Sequence, residues 1–400
     1  MKEHSFIKIK ELIDKGVEIP CPGTIEIGAE VNVDRISGDG VVLYSGCKIF
    51  GESTLILKGA KLGYEAPVTV DDCFIGPLVE LKGGFFKQAV FLKKVSMGCG
   101  AHIRAGTILE EQASGAHAVA LKQTILFPFV TLGSLINFCD CFMSGGTSRK
   151  DHSEVGSSYI HFNYTPIQDK ATASLIGDVP QGVMLNQRPI FLGGQGGLVG
   201  PTRLAYGTII GAGSIRRKDE LRQGRLILEA GGKSINMAYT ARKTSNVKRI
   251  VHNNIIYIAN LIALMQWYIA VRSRFLADEF PEPLLAGLKT TLNTAIDERI
   301  KRLKDYFEII SPSPVEKQQK KLSDSWPELE NSFKELRYSP EDSSDKDIFL
   351  EKIAKGINEY GKDYIAVIKN LNKEDAQTGT RWLQGIVDKV IAEILKIAPI

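Results

Sequence analysis

Residues 202–214 read TRLAYGTIIGAGS, and a small side chain returns in them every six positions, at Thr202, Thr208 and Ser214. The same six-residue spacing occurs in earlier stretches, between Val68 and Phe74, Ala101 and Thr107, Val119 and Ile125, and along Val130, Ile136 and Phe142. Short strand-forming runs surround these positions and end in glycine or a small polar residue. A fixed short period of this kind is typical of repeat architectures.

The six-residue period predicts a parallel β-helix over residues 23–240. Each hexad supplies one short strand and one turn, and three hexads complete a triangular coil whose recurring residue points into the prism. Stacked coils then satisfy one another's backbone hydrogen bonds. The period slips around Gly83–Phe86 and Gly193–Pro201. A β-sandwich of short strands is the alternative, which the recurrence of one phase in separate places disfavours.

Helical patterns flank the repeats on both sides. Residues 5–16 predict a short amphipathic helix within a lead-in of residues 1–22. In residues 241–400 glycine becomes rare and apolar residues recur every three or four positions, which predicts an α-helical domain. Pro281 and Pro283 open one helix, and SPSP at 311–314 ends it. We predict a polar loop at 339–347 and further helices around 353–368 and 382–394.

Composition places the chain among soluble globular proteins that are large enough for two domains. It has 400 residues, of which 44% are hydrophobic and 24% are charged. The net charge of +4, without a basic stripe, gives no reason to expect nucleic-acid binding. The six cysteines lack a CxxC pair or a Cys/His zinc spacing. We therefore expect reduced core thiols in a cytoplasmic protein, and no metal site.

The segment Ile250–Val271 contains no Asp, Glu, Lys or Arg and is long enough to span a bilayer. It carries polar side chains that are costly in lipid, at His252, Asn253, Asn254, Asn260 and Gln266. We therefore expect a buried helix of a bundle and no membrane insertion. The N-terminal residues MKEHSFIKIKELIDKG lack the apolar run of a secretory signal.

Chemistry-bearing residues gather between the regular repeats and the helices. Residues 149–166 read RKDHSEVGSSYIHFNYTP, and ASLIGDVP and TIIGAGSIRRKD follow at 173–180 and 208–219. Over about residues 125–220 this order resembles the C-terminal acetyltransferase domain of the bacterial bifunctional glucosamine-1-phosphate acetyltransferase/N-acetylglucosamine-1-phosphate uridyltransferase. The elements that carry the resemblance are His152 before Val155-Gly156, Asn163-Tyr164, Leu175-Ile176-Gly177-Asp178, and Gly213-Ser214 before Arg216-Arg217-Lys218.

The resemblance implies a left-handed β-helix that forms a homotrimer. It also implies acetyl transfer from acetyl-CoA to an amino sugar or amino-sugar phosphate, in a pathway of the UDP-N-acetylglucosamine type. His152 would be the general base, since a neutral imidazole has a pKa near working pH. Asp151 or Glu154 could orient it, and His161 is the alternative base.

The resemblance also assigns the remaining candidate residues. Asn163 joins His152 as a catalytic candidate, and Tyr164 would help hold the sugar and the acetyl group. Cations close by in sequence suit a sugar phosphate or sugar nucleotide, at Arg149, Lys150 and Lys170. The candidates for binding coenzyme A at a coil edge are Ser214, Arg216, Arg217 and Lys218. The glycines of Gly193–Gly200 either cradle a phosphate or form a structural loop.

Three alternatives remain open. The chain could be a non-catalytic scaffold or sugar-nucleotide-binding prism. It could be a relative of sugar nucleotidyltransferases, although the 400 residues include no Gly-rich nucleotide-binding loop. A γ-class carbonic anhydrase-like prism would need three converging histidines, for which His102, His117 and His152 are available but lack the short spacing.

Overall fold

A computed structural model describes residues 3–165, 168–229, 246–310, 324–338 and 343–399. The larger part of the protein is a parallel β-solenoid of about 11 turns, which confirms the β-helix that the six-residue period predicts. Its strands form three long parallel sheets. We call these faces 1, 2 and 3, in the order in which each coil visits them, and name each corner by the two faces that it joins.

The strands are short, and each strand inside a sheet pairs with the strand one coil above and the strand one coil below. Face 1 comprises Glu26–Ile27, Lys48–Phe50, Val68–Asp71, Gly84–Lys87, Ala101–Ile103, Val119–Lys122, Ile136–Cys139, Tyr159–Phe162, Gly197–Val199 and Ile215–Arg216. Face 2 comprises Leu55–Ile56, Phe74–Ile75, Ala89–Phe91, Thr107–Leu109, Ile125–Leu126, Cys141–Met143, Ser174–Ile176 and Arg203–Leu204. Face 3 comprises Val42–Leu43, Lys61–Leu62, Glu80–Leu81, Ser96–Met97, Ser114–Gly115, Thr131–Leu132, Glu154–Val155, Phe191–Leu192, Ile209–Ile210 and Leu226–Ile227.

The α-helices of the described residues lie at the two ends of the chain, apart from one short α-helix in the solenoid. Their bounds are α1 Glu3–Asp14, α2 Val179–Gly182, α3 Val247–Ala270, α4 Glu282–Ile310, α5 Trp326–Tyr338, α6 Ser344–Tyr360, α7 Tyr364–Lys369 and α8 Lys373–Ile397. Helix α1, which the sequence predicts at 5–16, covers the first coil. Its Lys8 ammonium donates to the Ala29 and Val31 carbonyls, and its Ser5 hydroxyl accepts from the Ile27 amide.

Helices α3 and α4 lie along face 2 and cover it. Helix α4 contacts the strands Phe74–Ile75, Ala89–Phe91 and Thr107–Leu109, while α3 contacts Ser174–Ile176 and α2. The approach is close, because a Cβ at Gly287 of α4 would lie 2.4 Å from the Phe74 ring. The solenoid and the helices therefore share one continuous hydrophobic core.

Face 2 is consequently apolar on both of its sides. Strand residues alternate in direction, and the row in register with Phe74 points toward the helices. This outer row of face 2 comprises Leu55, Phe74, Val90, Ile108, Ile125, Phe142 and Leu175, and it ends at Arg203 in the last strand of the sheet. The prediction that Phe74, Ile125 and Phe142 point into the prism is therefore wrong. Ile125 and Phe142 are buried because helices cover them.

The long apolar helix is buried, as its amide side chains predict. The segment Val247–Phe275, which comprises α3 and the turn after it, is long and apolar enough to span a bilayer, yet 89% of its most apolar window is inside the protein. Asn254 donates to the Ala171 carbonyl at 2.8 Å, and Asn260 accepts from the Val179 amide at 2.9 Å. These amides therefore bind the solenoid backbone.

Three details of the predicted helical region change. The proposed loop at 339–347 is wrong from Ser344 onward, where α6 begins with Asp345 and Asp347 in its first turn, which the helix dipole favours. The helix expected around 353–368 is two helices, interrupted at Gly361, where φ is +70°. The SPSP break at 311–314 and the domain boundary at 240/241 lie outside the described residues.

Two glycine-to-alanine substitutions test whether α4 depends on its close approach to face 2. Gly287→Ala adds a methyl group against the Phe74 ring and should lower the free energy of unfolding by about 1–2 kcal/mol. Gly385→Ala in α8 meets nothing within 4 Å and should raise it by up to about 1 kcal/mol. Urea unfolding of both variants measures the difference. Equal stabilisation by both substitutions would contradict the packing.

Candidate active site

His152 lies on a hairpin that widens corner 2–3. The strands Gly146–Ser148 and Asp151–His152 pair antiparallel, with Gly146 opposite His152. Gly146 has a φ of +98°, and a Cβ there would lie 2.5 Å from the His152 Cα. Only glycine suits this position, so the hairpin holds His152 at a defined place on the prism edge.

The imidazole of His152 lies beside a carboxylate. Its Nε2 is 3.7 Å from Glu154 Oε2, and the His152 side chain is 18% exposed. Its Nδ1 is buried and has no hydrogen-bond partner among the described residues. Asp151 instead accepts a hydrogen bond from the Thr147 hydroxyl at 2.9 Å. Of the two acids that the sequence offers as orienting groups, Glu154 is therefore the one near the ring.

The two cations of the hairpin differ in their availability. The Arg149 Nη1 donates to the Gln112 and Phe129 carbonyls, both at 3.0 Å, and to the Thr131 hydroxyl at 2.9 Å. This guanidinium anchors the hairpin to the coils below it. Lys150 is exposed and is the cation there that remains available for a substrate phosphate.

The Asn163-Tyr164 pair lies at corner 1–2, in the loop between faces 1 and 2. The Asn163 amide donates to Asp140 Oδ2 at 3.0 Å, and Asp140 Oδ1 forms a buried ion pair with Arg299 of α4 at 2.7 Å. Asn163 therefore takes part in the contact between the solenoid and α4. Tyr164, which is 70% exposed, and the exposed Lys170 are free to meet a ligand.

His161, the alternative base, is buried and hydrogen-bonded within the solenoid. Its Nδ1 donates to the Cys139 carbonyl at 2.6 Å, and its Nε2 accepts from the Ser174 hydroxyl at 2.8 Å. Burial lowers the pKa of His161 to about 4. Because both nitrogens are engaged and the ring is buried, this geometry favours His152 over His161 as a base.

The predicted coenzyme A residues lie near the last coils of the solenoid. Arg216 is committed to the protein, since it binds Glu229 at 2.8 Å and the carbonyls of Lys218 and Asp219. Arg217 and Lys218 are exposed at corner 1–2, whereas Ser214 is buried. Two of the four candidates therefore present a charge to solvent.

The Ile176-Gly177-Asp178 motif organises corner 2–3. Asp178 caps α2 by accepting from the Gln181 amide at 2.8 Å, as an N-cap residue does. Burial raises the pKa of Asp178. The Tyr206 hydroxyl donates to the Asp178 carbonyl at 2.7 Å and bonds to the Ser144 hydroxyl at 2.8 Å. Sequence reasoning missed Ser144 and Tyr206, since a tyrosine within a hexad gives no sign of its distant partner.

The glycines of 193–200 allow close stacking of coils. A Cβ at Gly193 would lie 2.3 Å from the Ala212 amide nitrogen, and one at Gly194 would lie 2.6 Å from the Ser157 carbonyl oxygen. A Cβ at Gly156, one coil below, would lie 2.4 Å from the Gly194 amide nitrogen. Of the two interpretations of this cluster, these contacts favour the structural loop over the phosphate cradle.

Within one chain the predicted site residues form two groups. His152, Arg149 and Lys150 lie at corner 2–3, while Asn163, Tyr164, Lys170, Arg217 and Lys218 lie at corner 1–2. Other histidines are elsewhere, with His102 stacked on Phe85 on face 1 and His117 bonded to Ser134 at corner 3–1. Among the described residues, no three metal-ligating side chains gather at one place.

The chain is similar to bacterial GlmU proteins. It is 28% identical over 213 residues to the bifunctional protein GlmU of Thermotoga maritima. The aligned region covers 53% of this chain and 42% of the relative. The bifunctional protein GlmU of Trichlorobacter lovleyi is 26% identical over 210 residues, which are 52% of this chain and 40% of that relative. The chain spans less than half the length of these relatives, and no protein-family model matches it.

The lowered pKa of His161 predicts a dependence of stability on pH. The unfolded chain binds a proton at this residue near pH 6.5, whereas the folded protein does so only near pH 4. Stability should therefore fall as the pH drops through this window, by roughly 3 kcal/mol from this residue. His161→Gln should flatten the pH dependence of unfolding measured by urea titration. Replacement of the exposed His102 by glutamine (His102→Gln) should leave that pH dependence unchanged. Equal pH slopes in the two variants would refute the lowered pKa of His161.

Proposed function

We propose that this protein is a cytoplasmic acyltransferase that moves an acetyl group from acetyl-CoA to the amine of an amino sugar or amino-sugar phosphate. The carrying observation is the His152–Glu154 pair on a hairpin at the edge of a parallel β-solenoid. The similarity to GlmU over half of the chain and the resemblance in motif order both support this role. The product would belong to a pathway of the UDP-N-acetylglucosamine type.

His152 would act as the general base. As the acceptor nitrogen attacks the thioester carbonyl carbon, the imidazole takes the proton of the amine. The tetrahedral intermediate then collapses, the C–S bond breaks, and coenzyme A leaves as a thiolate. The proton taken from the amine stays on the His152 ring. The Glu154 carboxylate would stabilise the imidazolium that forms between these two steps.

A homotrimer would bring the two groups of residues together. In a ring of three copies with corner 3–1 toward the axis, face 1 of one copy meets face 3 of the next. Corner 1–2 of the first copy then lies beside corner 2–3 of its neighbour. Arg217 and Lys218 of one copy would thus approach His152 of another.

Two further observations support such a ring. Face 2 is covered by α3 and α4, so among the described residues faces 1 and 3 are the ones left for other copies. Their outer sides carry exposed apolar residues in adjacent coils, namely Ile160, Phe191, Ile209, Ile215 and Leu226. Ile215, close in sequence to Arg217 and Lys218, is three coils above Asn137 of the coil that carries His152, or about 14 Å. The long coenzyme A molecule can bridge that separation between Arg217 or Lys218 and the reacting centre.

Replacement of His152 tests the general base. His152→Gln should lower the rate of thiol release from acetyl-CoA by roughly 100-fold to 10,000-fold, with glucosamine 1-phosphate first in a panel of amino sugars. His4→Gln on α1 is the matched control and should leave the rate unchanged. An unchanged rate in His152→Gln would refute the assignment.

Mixed assemblies test the shared site. Chains with His152→Gln and chains with Arg217→Ala and Lys218→Ala should each be nearly inactive alone. Co-expressed in equal amounts, they should recover about a quarter of the wild-type activity, the share of interfaces that random assembly leaves intact. Purified mixtures are compared with the separate variants by the same thiol-release assay. Recovery of no activity would mean that one chain supplies both groups.

A non-catalytic prism that binds sugar nucleotides is the second candidate. The structural commitments of Arg149 and Asn163 favour it, because these side chains serve the fold. Calorimetry separates the two proposals. Heat from acetyl-CoA binding supports the acyltransferase, whereas binding of UDP-N-acetylglucosamine alone supports the scaffold.

A further inference from the structure

A cleft of about 810 Å³ lies where the helical region meets corner 2–3 of the lower coils. The solenoid contributes Lys58, Lys93, Lys94, Glu111 and Gln112, and the segments 272–280 and 362–370 form the opposite wall. Its size is in the range of small-molecule sites, about 300–1,000 Å³. None of the residues assigned to acyl transfer lines it.

A buried arginine forms part of the wall of this cleft. Arg272 is 1% exposed, and its guanidinium lies 3.8 Å from the centre of the Tyr364 ring and 4.4 Å from that of Phe280. Its Nη2 donates to Glu111. Burial by itself lowers the pKa of Arg272, but the Glu111 carboxylate contributes to a larger opposite effect. Arg272 therefore stays charged inside the wall.

The buried ion pair leaves hydrogen-bonding groups unused. Nε and Nη1 of Arg272 and Oε2 of Glu111 have no hydrogen-bond partner in the part of the chain that the structure describes. The neighbouring Glu110 is also buried and accepts from the Tyr268 hydroxyl at 2.6 Å. Buried charged groups usually have all their partners. Unused donors on a buried guanidinium therefore point to a ligand that accepts hydrogen bonds.

Lysines at the mouth of the cleft add positive charge. Lys58 and Lys93 share the Glu279 carboxylate, and Lys362 donates to the Arg274 carbonyl. Lys94 and Lys369 are exposed and make no ion pair with any described residue. In total the lining has six cationic side chains and four carboxylates, so it attracts an anion.

We propose that this cleft is a second ligand site, which binds a small organic phosphate. The phosphate oxygens would lie between Arg272 and the free ammonium groups of Lys94 and Lys369, since a guanidinium fork and point cations both suit such oxygens. The carbon skeleton would lie against Phe275 and Ile365 of the lining. Because the two walls belong to the solenoid and to the helical region, the bound phosphate stabilises their junction.

Calorimetry on the full-length protein with pyrophosphate and glycerol 3-phosphate as probes tests the site. The double variant Lys94→Gln/Lys369→Gln should bind both probes at least about tenfold more weakly, without a change in melting temperature in the absence of ligand. Lys355→Gln, an exposed lysine of α6, is the matched control and should bind as the wild type does. Pyrophosphate should also slow amide hydrogen exchange in 272–280 and 362–370.

Arg272→Lys keeps the charge but removes the fork, and it should weaken binding while circular dichroism reports an intact fold. Wild-type protein that binds neither probe would overturn the proposal, as would wild-type affinity in the double lysine variant. Binding that is lost in Arg217→Ala/Lys218→Ala instead would place the phosphate at the end of the solenoid and overturn it too. None of these measurements depends on acyl transfer.

Discussion

The second face of the solenoid is apolar on both sides, and the architecture depends on burying both of them. Its inner side fills the prism, and its outer row from Phe74 to Leu175 needs a cover. Helices α3 and α4 provide that cover. Removal of apolar surface from water contributes about 25 cal/mol per Å², so the cover stabilises the solenoid and the helices at once.

Charged pairs fix where the helices sit on this face. Arg272 binds Glu111 and Arg299 binds Asp140, and all four side chains are nearly buried. A buried ion pair contributes little net stability, but a shifted register would leave a buried charge unpaired, which costs several kcal/mol. The Asp140 pair also involves Asn163. The same contact therefore supports the helical cover and positions a loop of the candidate site.

The sequence predicts the solenoid well because its period repeats in many coils. The sequence also contains a signal for the helical cover of face 2. Strands of face 2 have two apolar residues in succession, such as Val90-Phe91 and Ile125-Leu126, and strands buried on both sides lack the usual alternation. The site was less predictable, because the hairpin of His152 departs from the repeat. The partners of Asn163 and Asp178 are distant in sequence, so spacing could not reveal their structural roles.

The cover also changes how the molecule can come apart. In a bare solenoid each coil contacts only its neighbours, so the ends can fray one coil at a time. Helix α4 has 29 residues and a length of about 44 Å, whereas successive coils are about 4.8 Å apart. Because α4 packs against several coils at once, these coils should unfold together with the helix. We therefore expect the modular repeats of this solenoid to melt in one cooperative transition, as a compact domain does.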